Sequence, residues 1–189
     1  MSNEKKIEIQ GISNRYQVKK LIGNPQISQI RKATHKWDIT KDWLELEKQV
    51  ELIGDVYSKY KENNLIDKTD DASHIAIVIN EINKKITSYN QQDIIRKITN
   101  YAKFVDTEFV INLLYESKLC CFYCKDIVYL LYEKSREMKQ WSLDRINNEE
   151  GHNKDNVIIA CLHCNLQRRN RGKDAFLFTK QLTIVKSDT

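Results

Sequence analysis

Along the middle of the chain, apolar residues recur at alternating steps of three and four. After Thr40, a suitable helix N-cap, the positions Trp43, Leu46, Val50, Ile53, Tyr57 and Tyr60 keep this spacing, which gathers them on one face of a long amphipathic helix. Ile75, Ile79, Ile82, Ile86 and Tyr89 repeat it, and Asn90 then offers an N-cap to a further helix carrying Ile94, Ile95, Ile98, Ala102 and Val105. A fourth helix is predicted from about Thr107, with Val110, Leu113 and Leu114 on its apolar face. Region 37–117 therefore reads as antiparallel helices packed through Ile, Leu and aromatic stripes; its heptads do not persist as a coiled-coil seam requires. Residues 1–36 are patterned more weakly: Ile7 and Ile9 alternate as in a short strand, Gly23, Asn24 and Pro25 mark a turn, and 27–32 suits a short helix.

From residue 118 the pattern changes to short apolar runs broken by polar loops. Residues 141–143 read as a strand leading into Asp144 and Arg145, and 147–156 is a polar loop containing Gly151. A buried strand follows over 157–160, and 162–171 has no breaker before Gly172, so a helix is predicted there. The order is strand, loop, strand, helix, with a basic helix near the C-terminus. The expected class is α+β, mainly helical: an uncertain segment over 1–36, a helical region over 37–117 and a small second unit over 118–189.

Cysteine spacing adds chemistry to that second unit. Four of the five cysteines form two C-x-x-C pairs, Cys121 with Cys124 and Cys161 with Cys164, separated by 36 residues. Two such knuckles can set four thiolates tetrahedrally around one structural Zn²⁺, leaving Cys120 spare. The expected compartment is reducing, since no secretory apolar run follows residues 1–6 and the longest apolar runs reach six residues, far short of the roughly 20 of a spanning helix. An intracellular protein, cytoplasmic or nuclear and without membrane contact, is expected, and disulfides are not.

Charge is distributed unevenly. The net charge is +5, yet residues 1–117 hold 18 basic and 17 acidic side chains, so most of the excess falls after 118. Arg168, Arg169, Arg171 and Lys173 form the densest basic cluster, where a nucleic-acid backbone could be held.

The run Leu143-Asp-Arg-Ile-Asn-Asn-Glu-Glu-Gly-His-Asn-Lys-Asp-Asn-Val157, followed by Cys161-Leu-His-Cys-Asn165 and preceded by Cys121-x-x-Cys124, resembles the HNH endonucleases. It is most similar to the zinc-containing group that includes recombination endonuclease VII, found in phages and large DNA viruses, and the resemblance covers about 118–175. It implies a ββα-metal fold acting on DNA, inside a host cell if the source is viral. Position by position, it makes Asp144 the strand-end ligand and Asn165 the helix ligand of a catalytic Mg²⁺ or Mn²⁺, while Asn156 ties the loop between the strands. Such an ion prefers oxygen donors and offsets charge on the leaving oxygen. Arg168 and Arg169, three and four residues after Asn165, would share its helical face and reach the same phosphodiester.

One position departs from the family. Arg145 stands where a histidine general base usually follows the acidic residue, and a guanidinium does not take a proton from water near neutral pH. His152 is the first substitute, because an imidazole pKa of about 6.5 suits the task. His163 falls roughly 200° round the helix from Asn165 and is expected beside the zinc, and His35 and His74 belong to the helical half. The favoured function is a DNA endonuclease whose helical half orients substrate, binds a partner or forms a homodimer. The alternatives are a catalytically inactive zinc-containing nucleic-acid-binding module and a zinc-stapled protein-interaction domain.

Overall fold

A computed structural model of the chain describes Arg31, Trp37, residues 41–62 and residues 74–182. The expectations for 1–36, His35 among them, fall outside these residues apart from Arg31, as does Thr40. The described part is α+β and mainly helical. A 3-10 turn, Lys41–Leu44, leads to α1 (Leu46–Lys61), α2 (His74–Arg96) and α3 (Thr107–Glu116). A two-stranded sheet follows, β1 (Trp141–Arg145) and β2 (Val157–Cys161), and then α4 (Leu162–Arg168) and α5 (Lys173–Gln181).

The inward face of α1 is Gln49, Leu52, Ile53 and Val56. It is rotated from the predicted stripe, leaving Val50 and Tyr60 outside at 36% and 38% exposure. The rotation brings in a polar residue that an apolar pattern does not count. Gln49 is fully buried and satisfied at both ends of its amide: Nε2 donates to the Leu44 carbonyl at 2.8 Å, and Oε1 accepts from the Leu131 N–H at 2.9 Å. A buried amide bonded in this way fixes one helix orientation, since any other leaves polar atoms unpaired.

Helix α2 runs without interruption through Asn90, so the expected break and the further helix through Val105 are absent. Continuity keeps Tyr89 and Asp93, four residues apart, on one face toward the sheet. There Tyr89 Oη accepts the Leu143 N–H at 3.0 Å, and Asp93 accepts from His152. Those tertiary bonds outweigh the capping preference of one asparagine. Ile94 and Ile95 are consequently exposed, and the helix ends where Lys97 takes φ 60° and the Ile98 N–H turns back to the Asp93 carbonyl at 3.0 Å.

The start of α3 falls at Thr107, the predicted position. Asp106 caps it, with Oδ1 accepting the Phe109 N–H at 2.8 Å. The sheet pairs antiparallel in the register Trp141↔Cys161, Leu143↔Ile159 and Arg145↔Val157. Helix α4 stops short of the predicted residue 171, because Arg169 adopts φ 52° and the chain turns into α5. One hydrophobic cluster runs through both halves, from Leu52, Val56 and Ile82 through Leu114 and Leu119 to Trp141, Leu143, Ile159 and Phe176. Among the described residues, no helix is long and apolar enough to cross a membrane.

Candidate metal centre and polar cleft

The sulfurs of Cys121, Cys124, Cys161 and Cys164 lie within 4.8 Å of one another, with Cys124 and Cys161 at 4.0 Å. Tetrahedral Zn²⁺ with Zn–S bonds of about 2.3 Å sets its sulfurs roughly 3.8 Å apart, so the four cysteines could hold zinc with a small contraction. Local backbone builds the cluster. Between the first two cysteines the chain forms a tight loop in which the Lys125 N–H donates to the Cys121 carbonyl at 3.0 Å and the Cys121 N–H to the Asp126 carbonyl at 2.8 Å. The Phe122 N–H reaches the Ile159 carbonyl at 2.8 Å, pinning this loop to β2. On the other side Cys161 caps α4, its sulfur accepting the Cys164 N–H at 3.3 Å. Cys120 is half-buried and outside the cluster, and His163, expected beside the metal, is exposed.

Four crowded thiols resist losing their protons together. A hydrogen bond from Cys161 draws Cys121 down to about 4, while burial pushes Cys164 up to about 12, and the bond to Cys121 raises Cys161 as well. A bound cation would make four thiolates compatible, so metal uptake here would release protons.

At the end of β1, away from the sulfurs, α2, the sheet and α4 line an open cleft of about 310 Å³. Tyr89, Gln92 and Arg96 line it from α2, Leu143, Asp144, Arg145, Asn148 and His152 from the sheet and its loop, and Asn165, Leu166, Arg169 and Asn170 from α4 and its end. Asp144, Arg145, His152 and Asn165 are thus brought together. Asn156 lies beneath the loop instead, donating Nδ2–H to the Asn147 and Gly151 carbonyls at 2.9 and 3.0 Å and accepting the Asn147 N–H at 2.8 Å.

Arg168 is placed differently from the sequence reading. It does not share a surface with Arg169; it is 1% exposed and grips Asp144, with Nε at 2.7 Å from Oδ2 and Nη2 at 3.1 Å from Oδ1. Tyr123 donates its hydroxyl to the same Oδ2 at 2.6 Å, and burial together with that bond raises the phenol pKa, keeping it a donor. Arg168 also bonds the carbonyls of Arg145 and Arg171 and Asn148 Oδ1. The neighbouring Arg169, which leaves the helix at φ 52°, is instead exposed and lines the cleft. The rest of the predicted basic cluster packs on aromatic rings: Arg171 lies 4.8 Å from the centroid of Phe176 and Lys173 5.6 Å from that of Phe122.

Both oxygens of Asp144 are therefore engaged. Asn165 donates Nδ2–H to Ser142 Oγ at 3.1 Å and to the Leu143 carbonyl at 3.3 Å. As placed, the pair does not fit a hard divalent cation, which at Asp144 requires Arg168 to release the carboxylate.

His152 is held by Asp93, an acidic residue beyond the apolar stripe of α2. Asp93, fully buried on α2, accepts from the His152 backbone N–H at 2.6 Å and lies 2.8 Å from its ring Nδ1. The ring stacks on Tyr89 with centroids 4.4 Å apart. Burial holds the imidazole below its ordinary pKa, with Arg145 and Arg96 acting in the same direction and Asp93 opposing them. Asp93 extends the stripe Ile82, Ile86, Tyr89 by one more step of four, a signal present in the sequence but hidden by its being acidic. Arg96, three residues on, is exposed at the rim of the cleft.

Comparison of the chain with protein-family models, with curated proteins and with solved structures finds no match.

Proposed function

We propose that the chain is an endonuclease that hydrolyses DNA phosphodiester bonds at this cleft. The observation that supports it is the convergence of Asp144, Arg145, His152 and Asn165, from three separate stretches of sequence, on one concave site. The charge there suits a phosphate. Arg96, Arg145 and Arg169 line the cleft, and its one lining carboxylate, Asp144, is neutralised by Arg168. His152 is the group able to take a proton near neutral pH, and Arg145 is a clamp for the phosphate, fixed by its own bond to the Glu150 carbonyl at 3.2 Å. Mg²⁺ or Mn²⁺, implied by the family resemblance, would supply Lewis acidity; its seat at Asp144 depends on the exchange of Arg168 described above.

A second reading, a zinc-containing nucleic-acid-binding module without catalysis, is favoured by the closed Asp144–Arg168–Tyr123 cluster. Incubating purified protein with labelled duplex, branched and single-stranded DNA, in Mg²⁺, in Mn²⁺ and in chelator, separates the two. Cuts that His152→Ala abolishes support the nuclease. Salt-sensitive binding with no cutting under any condition supports the binding module and ends the nuclease reading.

A further inference from the structure

The helical half meets the cleft through buried residues of α2, Tyr89 and Asp93 among them. We infer that Asp93 of α2 is the positioning residue that makes His152 a general base, an inference that rests on the nuclease reading.

The two residues meet at two points, through the backbone N–H and through ring Nδ1, and their side chains are 0% and 5% exposed. A carboxylate so placed accepts a hydrogen bond from Nδ1–H and fixes the tautomer, leaving the Nε2 lone pair of this cleft-lining ring free to take a proton. Tyr89 supports the ring from one face, and its hydroxyl accepts the Leu143 N–H at 3.0 Å, which fixes the Tyr89 ring against β1. Close approach of loop and helix depends on Gly151: a Cβ there would lie 2.8 Å from Asp93 Oδ2 and 2.8 Å from the Ile98 carbonyl oxygen. The glycine thus serves a site that spans both halves of the chain.

In the step this supports, the water oxygen forms a bond to phosphorus while its proton passes to Nε2. The bond from phosphorus to the leaving sugar oxygen breaks, its electron pair stays on that oxygen, and solvent protonates it. Asp93 stabilises the imidazolium as it forms, against Arg145, whose Nη1 is 4.0 Å from Asp93 Oδ1, and against Arg96 on the same helix. Those three charged groups, with neutral Tyr89, surround the imidazole from α2 and the strand end.

The test compares wild type, Asp93→Asn, His152→Ala and the double variant by cleavage kinetics over pH, with nitrogen NMR of the wild-type His152 ring. Asp93→Asn is expected to lower kcat by about 10²–10⁴, the usual worth of a positioned base, with KM within about twofold. Its acidic limb should move to lower pH, because the charge favouring imidazolium is gone. The double variant should be no slower than His152→Ala, which a purely structural Asp93 would not produce. If Asp93→Asn does not fold, the NMR decides: a proton on Nδ1 supports the inference and a proton on Nε2 overturns it. A wild type that cuts while Asp93→Asn keeps its kcat and pH limb overturns the inference and leaves the nuclease standing. A wild type that never cuts removes the nuclease reading and the inference together.

Discussion

Arg168 and Asp144 form a two-point ion pair inside the protein, joining the end of β1 to the last turn of α4. With Tyr123 on the same carboxylate, the pair ties the first cysteine loop, the sheet and the helix into one cluster. Its first consequence is for stability. Arg168→Ala leaves a buried carboxylate without its cation and is expected to cost about 3–5 kcal/mol. A double replacement by apolar residues of similar size should recover much of that loss. Urea unfolding followed by circular dichroism measures both; an Arg168→Ala protein as stable as wild type would mean the pair does not hold the fold.

Zinc removal should be costlier still. A metal ion on the four sulfurs would tie residues 121–124 to residues 161–164, and among the described residues the two-stranded sheet is the regular secondary structure between them. One zinc per chain is expected on metal analysis, with tetrathiolate geometry by X-ray absorption. Cys161→Ser or strong chelation should lower the melting temperature and melt the sheet, since binding energy at such a site is folding energy. A metal-free protein with unchanged melting would refute the assignment.

Lys85 gives a pH dependence of opposite origin to that of the carboxylates. Its ammonium lies 4.5 Å from the Trp141 ring centroid, donates to Gln140 Oε1 at 2.9 Å and to the Trp141 carbonyl, and is lowered to about 7, first by burial and then by the charge of Arg31. Between about 7 and 10.5 the unfolded chain keeps a proton that the folded chain has lost. Stability from this group therefore rises with pH across that window and is lowest below 7. Lys85→Met should remove that slope, so the variant's advantage over wild type is greatest near neutral pH and shrinks toward pH 10. Unfolding curves at pH 7 and pH 9.5 check it; parallel curves would show that Lys85 stays charged in the folded chain.

What the sequence made legible follows from range. The strand over 157–160, the start of α3 and the grouping of Cys121, Cys124, Cys161 and Cys164 rest on a short apolar run, the spacing of apolar positions along one helix and two C-x-x-C pairs, each written locally in the chain. The orientation of α1, the continuity of α2 and the burial of Arg168 depend on partners far along the chain: Leu131 for Gln49, Leu143 and His152 for Tyr89 and Asp93, Asp144 for Arg168. Polar residues carried each of these. A pattern that counts apolar positions treats Gln49, Asp93 and Arg168 as solvent-facing, and all three are buried. The cluster 168–173 looked uniform in sequence because charge is visible there and burial is not.

Nucleic-acid affinity should accordingly divide the arginines by position rather than by sequence. Arg96 and Arg169 are exposed and line the cleft, from α2 and from the end of α4, whereas Arg168 is enclosed by Asp144 and three further acceptors. A phosphate contact made by an exposed guanidinium releases about one counterion, so removing it lowers the slope of log affinity against log salt by about one. Arg96→Ala and Arg169→Ala should each weaken binding to duplex DNA of any sequence in this way, with melting temperature unchanged. Together they should lower the slope by about two. Arg168→Ala should instead lose stability first, and affinity only as far as the fold is lost. Binding titrations of fluorescent duplex between 50 and 200 mM salt, beside melting curves of the same proteins, distinguish the cases. Equal salt slopes for wild type and the Arg96→Ala, Arg169→Ala double variant would place the DNA elsewhere on the surface.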